Sequence, residues 1–134
     1  MKVICFVTGV VGVILLSWAV HAQYEGWEHF YTNLAGDRFY YDPNSVVSVS
    51  KTVSTVRIKG SSARENTTIK TFEQLLEIDC NKRMYRKLES QITRHDGSVY
   101  TEAKSNEWSQ VLPDSSMESL LDKACPKTRS RRGR

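Results

Sequence analysis

Cys80 and Cys125 constrain this chain more than any other two residues, once its first 22 residues are understood. Those residues read MKVICFVTGVVGVILLSWAVHA. Lys2 gives a short positive start, Val3 to Trp18 is almost unbroken apolar sequence, and Val20-His21-Ala22 sets compact residues before a cut between Ala22 and Gln23. This is the layout of a secretory signal peptide. The apolar run, about 16 residues, is shorter than the roughly 20 that a bilayer-spanning helix needs. The expectation is a signal peptide over 1–22, a mature protein beginning at Gln23, and no membrane span after processing.

Removing that leader removes Cys5 with it. In an oxidising compartment the two remaining cysteines read first as a disulfide, and only one intramolecular pairing exists, Cys80 with Cys125. A catalytic thiol is the alternative; it needs a partner base, and the mature chain offers His29 and His95 as its histidines. A bridge closing so long a loop stabilises a fold by roughly 4 kcal/mol on chain-entropy grounds. The cysteine spacing matches no zinc or haem signature. The expectation is therefore no metal and no cofactor.

Charge is uneven. Five of the 19 Lys and Arg residues lie in the last eight positions, KTRSRRGR. Between Gln23 and Pro126 the chain carries 13 basic and 15 acidic groups, so the basic pI belongs to the tail and not to the domain. A general nucleic-acid binder places its basic face on the fold itself, and no specific nucleic-acid partner is expected. Residues 127–134 read as a basic, disordered tail: a solvated end, or a segment drawn to an anionic surface.

The body from 23 to 126 shows short strands. Residues 27–32, 38–42, 53–59, 71–80, 84–93 and 99–103 carry apolar, aromatic or alternating patterns, with brief extended pieces at 45–49 and 108–112. Residues 60–68 are polar and read as a loop. Val56 and Ile58 share one strand face; Leu76, Ile78 and Cys80 share another. Met84, Leu88 and Ile92 read as one face of the fifth strand. Ser115-Ser116-Met117-Glu118 forms a capping box, and Met117, Leu120, Leu121 and Ala124 then fall on one helical face. The fold class is α+β: an antiparallel sheet of about six strands, with one C-terminal helix packed on it and stapled by one disulfide.

Lys82, Arg83, Tyr85 and Lys87 are the candidate partner-binding residues. On a regular strand Arg83, Tyr85 and Lys87 alternate onto one outward face, where a tyrosine among cations suits an acidic partner. A solvated sheet face that deters edge pairing is the plainer account. The sequence holds no GxSxG, HExxH, P-loop or dinucleotide turn. Glu77 and Asp79, beside Lys82 and Arg83, read as salt-bridged surface rather than as an acid–base pair.

The order of these pieces resembles the surface-adhesin protein E family. The stretches that carry the likeness are GWEHFYT, RFYYDPNSV, LLEIDCNKRMYR, DGSV and WSQVLPDSSMESLLDKAC, covering roughly residues 26 to 125. The resemblance implies an antiparallel sheet whose C-terminal helix is held by the Cys80–Cys125 bridge. It also implies a non-enzymatic surface or periplasmic role, the family's named member being an adhesin for host matrix proteins. No lipid-bearing cysteine follows the apolar leader, so a free periplasmic or released protein is expected. The functional expectation is an exported bacterial binding module for a protein or acidic macromolecule at the cell envelope or host matrix. The alternative is a small periplasmic enzyme or accessory protein, marked by a deep pocket where His29 and carboxylates converge.

Overall fold

The structure is a computed structural model that describes residues 25–126; the expected signal segment, its expected cut between Ala22 and Gln23, and the tail 127–134 lie outside the described residues. Eight strands and one helix follow in chain order. They are β1 (Glu28–Thr32), β2 (Arg38–Tyr41), β3 (Val47–Ser48), β4 (Val53–Ser61), β5 (Ile69–Asp79), β6 (Met84–Arg94), β7 (Val99–Glu102), β8 (Ser109–Gln110) and α1 (Ser116–Ala124). The eight strands join one antiparallel sheet in the order β1-β2-β4-β5-β6-β7, with β3 paired to β4 and β8 paired to β6. The sheet thus exceeds the six strands expected. The extra two are the short extended pieces, which find partners along the edges of longer strands.

Period two decides what β4 buries. Ser54, Val56, Ile58 and Gly60 are buried, while Thr55, Arg57 and Lys59 between them are half-exposed. On β5, Leu76 and Ile78 stand opposite Val56 and Ser54 and continue the same face. Strand β4 runs through Gly60 to Ser61, into residues that read as loop. Gly60 belongs there because the Phe72 ring lies across it: a Cβ at that position would sit 2.3 Å from a ring carbon.

Helix α1 lies on this core face. Ser115 caps it, its Oγ accepting from the Glu118 N–H at 3.2 Å. The Glu118 carboxylate reaches back one residue further than a capping box requires, accepting from the Asp114 N–H at 2.8 Å. Leu120, Leu121 and Ala124 are buried against Tyr41, Val56, Ile58, Leu76, Ile78 and Val111. Burial of each large aliphatic side chain there contributes about 1.5–3 kcal/mol. Cys125 caps the helix C-terminus and is bonded to Cys80, with Cα atoms 5.8 Å apart.

Strand β6 departs from regular alternation. Leu75 pairs with Glu89 but Leu76 pairs with Lys87, so Leu88 is an extra residue, a β-bulge. A one-residue shift moves every later side chain to the other face. Ile92, opposite Phe72, therefore lies on the face of Tyr85 and Lys87 and not on that of Met84.

Candidate functional site

The basic run does not form the outward row expected of it. Tyr85 stands opposite Ile78 and Lys87 opposite Leu76, so both project onto the core face, and Tyr85 packs against the core. Arg83 precedes the strand, in a turn with φ of 54°, and its guanidinium pairs with Glu118 at 2.8 Å. Lys82 is exposed in the same turn, its backbone N–H bonded to the Asp79 carboxylate at 2.9 Å. Arg86 faces the other way, bound to Glu77 and stacked 4.7 Å from the Trp108 ring centroid. The cations of this run are thus divided between two faces and a turn, and three of them (Arg83, Arg86, Lys87) have carboxylate partners. Glu77 is salt-bridged, but to Arg86 rather than to Lys82 or Arg83. Asp79 instead is buried and accepts from two turn N–H groups.

What the fold assembles lies further along the core face, where α1 stops covering it. A groove of about 420 Å³ opens between the first turn of α1 and the sheet, with Phe30, Phe39, Phe72, Gln74, Lys87 and Met117 in its walls. A second hollow of about 390 Å³ continues past the same two rings, Phe39 and Phe72, toward Ile69 and Thr67. The rings touch in series: Phe30 to Phe39 at 6.3 Å and Phe39 to Phe72 at 5.7 Å between centroids. Such tilted contacts fix the rings as one apolar strip.

A polar chain borders this strip. Gln74 Nε2 donates to Ser90 Oγ at 3.2 Å, Ser90 Oγ donates to Glu102 Oε2 at 2.8 Å, and Lys87 Nζ donates to the same carboxylate oxygen. The bulge at Leu88 makes this possible, because it sets Lys87 and Ser90 on one face. Lys87, and after it Ser90, holds the Glu102 carboxyl below its ordinary range. A carboxylate so engaged is a poor proton acceptor and a good fixed dipole.

His29 does not join the groove walls; its ring hydrogen-bonds Thr32 on the edge strand at 2.7 Å, and His95 is exposed in the β6–β7 turn. Asp42 caps the short 3-10 turn Pro43–Ser45. Sequence reading overlooked Phe39, Phe72 and Gln74. Their signal was present: extending the Leu76–Ile78 alternation back along β5 reaches Gln74 and Phe72 on the same face.

An antiparallel sheet carrying one disulfide-held helix, with an aromatic groove beside it, defines a small α+β domain. The sequence profile described as surface-adhesin protein E matches residues 27–126, and the chain belongs to that family. No curated protein sequence matches it. Among solved structures the fold is similar to Haemophilus influenzae protein E. Its crystal form II has a TM-score of 0.53 at 11% identity, over 75% of this chain and 87% of that one. The selenomethionine form has a TM-score of 0.53 at 12% identity, over 72% and 83%.

Proposed function

We propose that this protein is an exported, non-enzymatic, adhesin-like module that binds a protein partner at the cell envelope or host matrix through the open aromatic part of its core face. The observation that carries this is the Phe30–Phe39–Phe72 strip, which runs from Phe30 beside α1 out to the open hollows at Phe39 and Phe72 and is bordered by Gln74 and Lys87. Two hollows on either side of the Phe39 and Phe72 rings suit an extended chain presenting apolar side chains, and the polar border suits its peptide groups. Family membership supports an adhesin-like role. Of the basic run, Tyr85 and Lys87 belong to this surface; Lys82 and Arg83 do not. The same reading takes 1–22 as a signal cut after Ala22, leaving a periplasmic or released protein. An intact mass of the exported chain that still includes residues 1–22 contradicts that part.

The test is capture from envelope and matrix extracts by mature protein and by Phe39→Ala/Phe72→Ala and Lys82→Glu/Arg83→Glu variants. Removing two adjoining aromatic anchors costs about tenfold or more in affinity, while the turn variant binds as the native protein does. Capture that survives the aromatic change and fails with the turn change moves the site to the turn. Turnover of a substrate by the pure protein returns the enzyme alternative.

A further inference from the structure

The apolar row of the core face does not end at Phe72. Phe39 stands opposite Gly60, Gly60 opposite Phe72, Phe72 opposite Ile92, and Ile92 opposite Tyr100, so one line of the register runs from β2 across the sheet to β7. Strand β7 pairs with β6 alone, and no described strand lies beyond it. Its backbone faces outward at two residues. The Arg94 N–H donates to the Ser98 carbonyl at 2.9 Å. Bonded and non-bonded pairs alternate along an antiparallel ladder, which makes Ile92–Tyr100 and Ser90–Glu102 the next bonded pairs. The N–H and C=O groups of Val99 and Thr101 therefore point away from β6, and both residues are exposed.

An exposed edge invites a further strand, and folds normally blunt it with a bulge, a cation, a proline or a covering element. The opposite edge follows this rule: β1 is bulged between His29 and Tyr31, with α1 packed against it. Strand β7, Val99-Tyr100-Thr101-Glu102, has none of these devices. Its pairing with β6 is unbroken, its one charge is held by Lys87, and Val99 is 54% exposed. Lys104, exposed past the end of the strand, and the turn before Val99 confine an incoming segment to the length of β7.

We infer that β7 accepts an extended segment of the polypeptide partner by strand addition, with an apolar side chain opposite Tyr100 that lengthens the row. The identity of that partner rests on the groove reading above; the chemistry of the edge does not. Alternating outward N–H and C=O groups fit an extended peptide backbone. A second copy of this chain offers only the same short strand, and four residues against four fall far below the roughly 1,200 Å² that a stable interface buries. A chain already seated in the groove reaches the edge at high local concentration.

Amide hydrogen exchange with and without a synthetic probe tests this. The probe is a peptide of alternating valine and threonine with a lysine at each end, at millimolar concentration; its control has alternate peptide nitrogens methylated. Thr101→Pro removes one outward N–H and no bond to β6. Val99→Lys supplies the missing cation, and Val49→Lys, at a residue 58% exposed in the β3–β4 turn, is the control variant. The expected result is exchange slowed several-fold at Val99 and Thr101 by the probe and not by the methylated peptide. Thr101→Pro and Val99→Lys abolish the slowing across 99–102, and Val49→Lys keeps it; should Thr101→Pro fail to fold, Val99→Lys decides. Equal slowing by the methylated peptide, slowing that survives Val99→Lys, or no slowing in β7 overturns the inference. Slowing at Phe39 and Phe72 in place of β7 overturns the edge and leaves the groove standing. Slowing in β7 that grows with protein concentration in the absence of the probe overturns it in favour of a second copy.

Discussion

The core face of this sheet is one continuous surface with two fates. Toward the disulfide, Val56, Leu76 and Ile78 lie under α1 and are 0–2% exposed. Toward the other end, Phe72 stands further along β5 and Phe39 beside it on β2, opposite Gly60, on the same face and with no helix among the described residues over them. The first half is held by apolar burial and a covalent staple. The second is held by hydrogen-bonded carboxylates: Glu102 with Lys87 and Ser90, and Asp37 with Asn33 and with the Ala63 N–H at 2.9 Å. Stability is expected to concentrate where apolar area is buried, and the open half is the one proposed to bind.

The largest expected effect is on the covered half. Replacing both cysteines (Cys80→Ser, Cys125→Ser) is expected to lower the unfolding free energy by up to about 4 kcal/mol, read from urea midpoints. A change below about 1 kcal/mol shows that the helix stays docked by packing alone. Next, Leu120→Ala leaves a cavity beneath α1 and costs about 3 kcal/mol, whereas Phe72→Ala, on the open half, costs about half as much in the same assay. Equal costs would erase the distinction between the halves. Gly60→Ala drives a methyl group into the Phe72 ring and costs about 1–3 kcal/mol; Phe72→Ala in the same chain is expected to relieve most of it.

The smallest effect is in pH. Hydrogen bonds from Asn33, then Ala63, lower the Asp37 pKa, and those from Lys87, then Ser90, lower that of Glu102. A carboxyl whose folded pKa is depressed adds stability that is full above its unfolded value, about 4, and lost as pH falls through the folded value. Amide exchange in 33–37 and 99–102 is therefore expected to speed up on acidification below about pH 4 before exchange in the disulfide half of β4 and β5. Glu102→Gln is expected to flatten the response at 99–102. A uniform response across the sheet contradicts this division.

Much of the covered half was legible in the chain. Val56–Ile58 and Leu76–Ile78 declare their faces by alternation, Ser115 declares the helix start, and the two cysteines beyond residue 22 allow a single bridge between them. These signals are local or involve a single possible pairing, so no knowledge of the fold is needed. The site was less legible. Arg83, Tyr85 and Lys87 look like an outward row only if β6 is a regular strand starting before Arg83. It starts at Met84, and nothing in KLES marks Leu88 as the inserted residue.

Composition and local pattern by themselves determined the strands, the helix cap and the acidic body with its basic end. Tertiary structure alone decided which strand face meets the helix, how far the helix reaches, and which carboxylate neutralises which cation. The reason is physical: alternation tells two faces apart but not which is inside once a bulge inverts them, and an ion pair such as Lys87–Glu102 depends on pairing between strands β6 and β7.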